Sequence, residues 1–361
     1  MKDIFIHPDD PQYQLYASAD LWINRLVEDI RNAKHYIYIE TFRLNDDIAG
    51  RRICQALMDR AEKGIDIRLI VDSWGTRKTH LFVEMEKKGI AIRYFKKLVF
   101  TFHWFGKNHE RNHRKIIAID DKIAYIGSAN FTKYSLKWRE SILRIENEEL
   151  PKIFKKIFLE NFKIYKKKIK NRKYYKTINH NGLKIIRETP SIIHQKSRNY
   201  FMHLINDAKE SITIVTPYFV TGKALRNKLC KAVRRGVKVS VIIPLHSDVH
   251  VVDFLRDLFL GKLYRNGVDF QMFTKGNLHA KLILIDDKIF SIGSTNFDYR
   301  SFRYMYEINL SGNVPDISFL ISQYMEDTLS ECSPFNYIEW ALRPFLQRII
   351  GLLLYPIRKL I

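Results

Sequence analysis

The sequence predicts an α/β fold built from two pseudo-symmetric halves, and three observations carry that prediction. A block of residues occurs twice in the chain, and short β-branched runs alternate with segments of helical spacing. In addition, 46% of the 361 residues are hydrophobic, enough to build a sizeable core.

The duplication is the strongest of these. His113, Lys115, Asp120, Gly127, Ser128, Asn130 and Phe131 recur, without a gap in spacing, as His279, Lys281, Asp286, Gly293, Ser294, Asn296 and Phe297. Upstream, Ala33 and Lys34 precede an Ile-rich run as Ala208 and Lys209 do, and Gly64 matches Gly236 ahead of a second run. Each half therefore reads as strand, helix, strand, then a motif hairpin. Residues 36–41 and 65–71 are β-branched runs bounded by turn residues. Between them, residues 47–63 place Ile53, Leu57 and Ala61 at helical spacing, and Gly64 is a stop. The halves are expected to meet in the basic stretch 163–176, which reads as a linker or a solvated helix, with a charged surface and a lipid contact both open. The resulting division is 1–175, 176–330 and a basic, apolar segment 331–361.

The formal net charge of +22, from 61 Lys and Arg against 39 Asp and Glu, calls for a polyanionic partner, either nucleic acid or an anionic membrane surface. Cys54, Cys230 and Cys332 are odd in number and far apart, which speaks against a disulfide framework or a zinc site and for reduced thiols facing the cytosol. The N-terminus has no apolar signal region. The charge-free run between Arg348 and Arg358 falls short of the ~20 residues that span a bilayer. A peripheral rather than integral protein is expected.

On a strand, His113 and Lys115 share a face, as do His279 and Lys281. If Asp120 and Asp121 centre a two-residue hairpin loop, Ser128 lies across from His113, and the same construction puts Ser294 across from His279. Asp120 and Asp286, at the turns, read as structural. One His-x-Lys on a strand would mean little. Two copies in register with Ser and Asn fit a phosphate-transfer site, which needs cations and donors around phosphate oxygens. It also needs a nucleophile and an acid/base on opposite sides of phosphorus, and two imidazoles supply both near neutral pH.

These residues resemble the duplicated HxKxxxxD and GSxN motifs of the phospholipase D superfamily. The resemblance implies two such halves, each a mixed β-sheet flanked by helices, sharing one active site at their interface. It places His113, Lys115, Asp120, His279, Lys281 and Asp286 in the catalytic motifs, with His113 as nucleophile forming a phosphohistidine and His279 as acid/base. Asn130 and Asn296, assisted by Ser128 and Ser294, would hold the phosphate, and Glu140 and Glu307 would orient the imidazoles. No metal and no other cofactor is implied.

Asp298, Arg300, Ser301 and Glu307 after the second motif resemble bacterial cardiolipin synthases, as do Glu40-Thr41-Phe42 and Thr216 to Phe219. That similarity implies a phosphatidyltransferase acting on anionic phospholipids (phosphatidylglycerol, cardiolipin) at the cytoplasmic face of the membrane, without nucleic acid. The expectation is a short form without the N-terminal transmembrane hairpin of the longer synthases, and Gly127-Ser128 stands where they more often have Gly-Gly. A phospholipase D-type hydrolase or a nuclease of the same superfamily is the alternative, and a non-catalytic lipid-binding relative is the third reading. Two segments favour lipid: 95–104, rich in aromatics, and 340–361, where Trp340, Phe345 and Leu352 to Leu354 mix with Arg343, Arg348, Arg358 and Lys359. For each, packing on the core is the competing reading, and Pro344 and Pro356 would interrupt any long helix.

Overall fold

The first expected strand forms where the β-branched run places it, at Tyr36–Thr41, and the helix after it spans Ile48–Ala61. Asp47 caps that helix by accepting from the Ala49 and Gly50 amides, and Gly64, at φ +81°, turns the chain into the next strand. The structure, a computed structural model, describes residues 1–95, 109–164 and 176–358.

In the first half, chain order runs β1 (Ile4–Ile6), β2 (Tyr13–Ser18), β3 (Tyr36–Thr41), β4 (Asp66–Asp72), β5 (Ala91–Phe95), β6 (Arg111–Asn112), β7 (Ile116–Ile119), β8 (Ile123–Gly127) and β9 (Arg139–Glu146). All but β6 form one mixed sheet in the order β1-β2-β9-β8-β7-β3-β4-β5. The second half repeats it with β10 (Ile178–His180), β11 (Leu183–Arg187), β12 (Ser211–Val215), β13 (Phe219–Val220), β14 (Lys238–Pro244), β15 (Asp269–Phe273), β16 (Leu282–Ile285), β17 (Ile289–Gly293), β18 (Phe297–Asp298), β19 (Met305–Tyr306), β20 (Ile308–Gly312) and β21 (Cys332–Pro334). Its sheet runs β10-β11-β20-β17-β16-β12-β14-β15-β21. Strand for strand, β2-β9-β8-β7-β3-β4-β5 and β11-β20-β17-β16-β12-β14-β15 match. The duplication is thus structural.

Side chains alternate across each strand and sort into two environments. In the first half, Ile37, Ile39, Ile117 and Ile119 face the helices Ala19–Asn32, Ile48–Ala61 and His80–Lys87. Tyr36, Tyr38, Ile116 and Ala118 face the other way, into a core shared with Leu282, Leu284, Ile308 and Leu310 of the second sheet. The helices Glu149–Ile164 and Pro315–Leu329 fill that shared core through Phe154, Phe158, Leu320 and Tyr324. The sheets therefore meet through buried apolar faces, which fixes the two motifs relative to each other.

The motif hairpins differ from expectation by one residue. Asp120 and Asp121 both sit at positive φ (53° and 50°), and the Lys122 amide closes the turn on the Ile119 carbonyl. Lys122 is then left out of the ladder, and pairing resumes with Ile119 opposite Ile123. The extra residue shifts the register, so Ser128 is not across from His113. The second hairpin repeats the shift, with Ile285 opposite Ile289, so Ser294 is not across from His279.

The C-terminal segment does not begin as a separate unit. Cys332–Pro334 adds β21 to the edge of the second sheet, antiparallel to β15. Two helices follow, Tyr337–Ala341 and Phe345–Leu354, interrupted at Pro344 and ended at Pro356. Trp340 lies on Gly261 of the helix His250–Arg265, and its Nε1 donates to the Asp257 carbonyl at 2.9 Å. Gly351 packs on Phe254 and Leu258 of the same helix. The opposite side leaves Leu342, Phe345, Leu346, Leu352 and Leu353 between 64% and 77% exposed. The segment docks by one face and offers the other. Of the two lipid-favouring stretches, residues 96–104 lie outside the described residues, as do 165–175 of the basic stretch. Cys54, Cys230 and Cys332 are free thiols.

Candidate active site

Both histidines sit just before the first strand of their hairpin, where the two halves pair backbone to backbone. β6 runs parallel to β19, and the His113 amide donates to the Tyr306 carbonyl at 2.9 Å. On the other side, Arg139 bridges Leu278, and the His279 amide donates to the Arg139 carbonyl at 2.8 Å. These crossings carry Glu307 to His113 and Glu140 to His279. Nδ1 of His113 lies 3.0 and 3.1 Å from the two Glu307 oxygens, and Nδ1 of His279 lies 2.9 and 3.0 Å from those of Glu140. Each imidazole is thus oriented by the carboxylate of the opposite half. Where the carboxylate is ionised it can only accept, so the neutral imidazole then carries its proton on Nδ1 and leaves Nε2 unprotonated.

Gly127 and Gly293 make this possible. A Cβ on Gly127 would lie 2.3 Å from the Ser141 carbonyl oxygen, and one on Gly293 would lie 2.2 Å from that of Ile308. The close approach brings Ser128 onto Glu140, to which its hydroxyl donates, while it accepts from the Ser141 amide at 2.8 Å. Ser294 accepts from the Ile308 amide at 3.0 Å and supports Glu307. The serines therefore hold the orienting carboxylates, whereas the sequence suggested that they assist at the phosphate.

Lys115 and Lys281 are buried and donate to the carbonyls of their own histidines, at 2.9 and 2.6 Å. Burial pushes the Lys115 ammonium down to about 7 and that of Lys281 down to about 8. Asn130 and Asn296 are buried, and among the described residues their Oδ1 atoms have no hydrogen-bond partner. Buried polar atoms of this kind are ones a ligand can satisfy.

The two His/Glu pairs are not electrostatically equal. Burial, reinforced by Lys115 and Lys281, holds His113 well below the usual histidine range, and burial pushes Glu307 up to about 7. His279 is also lowered by burial, but Glu140 opposes the shift. Burial works to raise Glu140 too, yet His279, Lys281 and Ser128 outweigh it and leave that carboxyl below its usual value. A proton is therefore held better by His279 than by His113.

Asp120 and Asp286 stand apart from this chemistry. Asp120 accepts from the amides of Lys34, His35 and Tyr36, and Asp286 from those of Lys209, Glu210 and Ser211. Each ties its hairpin turn to the start of the neighbouring strand.

Several site residues had no role assigned in the sequence reading. Phe42 packs edge-on against His113 at 5.2 Å, and Trp138 lies tilted against His279 at 5.1 Å. Arg114 is buried between the halves, with Nη2 donating to the Glu188 carbonyl and Nε to that of Glu307. Arg300 stacks on Trp74 at 4.9 Å and is among the cations that lower His113. Phe42, Arg114 and Arg300 were visible beforehand only as parts of a resemblance, with no role attached. Among the described residues, no group of three or more His, Cys, Asp and Glu is placed to hold a metal ion.

Comparison with known proteins bears on the family and the fold. The family model described as "Cardiolipin synthase, PLD-like domain" matches residues 26–162 and 201–329. A cardiolipin synthase of Oceanobacillus iheyensis is 28% identical over 320 residues, 85% of this chain and 66% of its own length. Cardiolipin synthase 1 of Staphylococcus epidermidis is 30% identical over 345 residues, 91% of this chain and 70% of its own. The chain thus spans about two thirds of the length of these curated relatives. The fold of a phosphatidylserine synthase from Haemophilus influenzae superposes with a TM-score of 0.81 at 14% identity, covering 99% of this chain and 96% of that one. With two matched segments that account for most of the sequence and fall one on each half of the fold, the chain belongs to the cardiolipin synthase, PLD-like domain family.

Proposed function

We propose that the chain is a phosphatidyltransferase of the cardiolipin synthase type, working through a phosphohistidine. The observation that carries this reading is the crossed pair of imidazoles, each backed by a buried carboxylate from the other half and flanked by a buried lysine. His113, held neutral, attacks the phosphorus of phosphatidylglycerol through Nε2. As the P–N bond forms, the P–O bond to the glycerol headgroup breaks, and protonated His279 gives its proton to the departing oxygen. His279 then takes the proton of the incoming hydroxyl of a second phosphatidylglycerol. That oxygen attacks phosphorus, the P–N bond breaks, and cardiolipin leaves with both histidines restored. Lys115, Lys281, Asn130 and Asn296 hold the phosphoryl oxygens, Ser128 and Ser294 brace the carboxylates, and Asp120 and Asp286 hold the turns.

The exposed apolar side of the C-terminal helices supports lipid rather than nucleic acid as the polyanion. Leu342, Phe345, Leu346, Leu352 and Leu353 form such a side beside Arg348 and Arg358, a composition suited to the membrane interface. Among the described residues, no helix is long and apolar enough to cross a membrane. The reading places the protein peripherally on the cytoplasmic face. The test is mass spectrometry of products from phosphatidylglycerol vesicles, run beside single-stranded DNA. Cardiolipin plus glycerol is expected, with phosphatidic acid a minor product. Dominant phosphatidic acid would make the protein a hydrolase, and DNA cleavage without lipid turnover would make it a nuclease.

A further inference from the structure

Away from the histidines, a pocket of about 230 Å³ opens between the helices Lys196–Asp207, Lys223–Arg234 and Tyr299–Arg303. Arg198, Lys223 and Arg303 line it, and among the described residues none of the three has an ion-pair partner. Arg198 is lowered by burial and by Arg303, so two guanidinium groups repel across the space. Gly222 and Lys223 begin a helix that no side chain caps. The rim is apolar, with Ile192 65% and Ile193 81% exposed.

This pocket also adjoins the apolar C-terminal face. Tyr299 on its wall belongs to a cluster containing Leu354, and the Arg358 guanidinium lies 6.0 Å from the Tyr299 ring. We propose that the pocket is a second phosphate site, which takes the headgroup phosphodiester of an anionic phospholipid from the membrane on which the protein sits. Three unpaired cations call for an anion, and charge-assisted contacts to phosphate are the strong ones. The volume admits a headgroup and leaves the acyl chains to the bilayer, along Ile192 and Ile193. The same five-residue helix also serves the catalytic centre. Asp298 caps it through the Ser301 amide at 2.6 Å, and Arg300 on it stacks on Trp74 and is among the cations that lower His113. A lipid held here docks the protein with its catalytic cleft beside the membrane.

The proposal rests on the phospholipid reading above, and calorimetry on the inactive His113→Asn protein separates the two. Soluble dihexanoyl phosphatidylglycerol should bind at two molecules per chain, and at one after adding Arg198→Gln and Lys223→Gln. Lys223→Gln alone, at an exposed position that folding tolerates, should weaken the second site about fivefold. A single molecule bound, insensitive to these substitutions, overturns the pocket and leaves the phospholipid reading standing. No binding at all overturns the reading itself. Glycerol 3-phosphate competing for the second site as well as the lipid does would identify a free phosphate as the ligand and overturn the lipid assignment.

Discussion

Exchanging Glu307 and Glu140 separately for Gln tests the crossed arrangement, because the two variants should fail at different steps. Both carboxylates are fully buried, and each touches its imidazole through both oxygens at 2.9 to 3.1 Å. Glutamine keeps the shape but can donate to Nδ1, which stabilises the tautomer with its proton on Nε2. Removing the carboxylate behind a catalytic imidazole in this way costs about 10⁴-fold, or ~5.5 kcal/mol. The informative substrate is a soluble phosphodiester with a 4-nitrophenyl group, which leaves without needing a proton. Stopped-flow release then reports His113 alone. Glu307→Gln should lower the burst rate by about 10⁴. Glu140→Gln should keep a burst of one equivalent and lose steady turnover, because His279 no longer activates the acceptor. A burst abolished by Glu140→Gln and kept by Glu307→Gln would refute the crossing.

Three further outcomes follow from the same geometry. Since Lys115 and Lys281 lose their protons near 7 and 8 in the empty site, kcat/KM should fall as pH rises through that range. Bound phosphate favours the ammonium form, so the basic limb of kcat should lie at higher pH, and coincident limbs would contradict this. Asp286→Asn removes a charged acceptor from three amides and should lower stability by ~1.5–3 kcal/mol in thermal melts, with kcat nearly unchanged; a large kcat loss at unchanged Tm would make it catalytic. Gly261→Ala puts a Cβ 2.1 Å from the Trp340 ring, an overpacking cost of ~1–3 kcal/mol. Trypsin should then cut faster after Arg348, and equal rates would show that this contact does not hold the segment.

Local signals were legible in the sequence, and signals that depend on how distant pieces meet were not. The strand Tyr36–Thr41 and the helix after it follow from β-branching, Asp47 and Gly64, all within a few residues. The motif repeat announced the pseudo-symmetry and both histidines. The hairpin register failed because the turn holds two aspartates at positive φ and then leaves out Lys122, and nothing in the residue types marks that omission. The pairing of Glu307 with His113 spans 194 residues and depends on β6 running beside β19. Spacing can nominate two glutamates and two histidines, but only the packing of the halves decides which meets which. The serines show the same limit: their approach to the carboxylates needs the close strand contact at Gly127 and Gly293.

The proposed transfer is a double displacement, in which His113 takes the phosphatidyl group and then gives it up. Stereochemistry at phosphorus measures that most directly, because each in-line displacement inverts the centre. Transfer from a phosphodiester made chiral with oxygen isotopes to an alcohol acceptor, followed by configurational analysis of the product, distinguishes the two routes. Two displacements through phosphohistidine predict net retention. Net inversion would mean that the acceptor attacks the lipid phosphorus directly and that His113 is never covalently loaded.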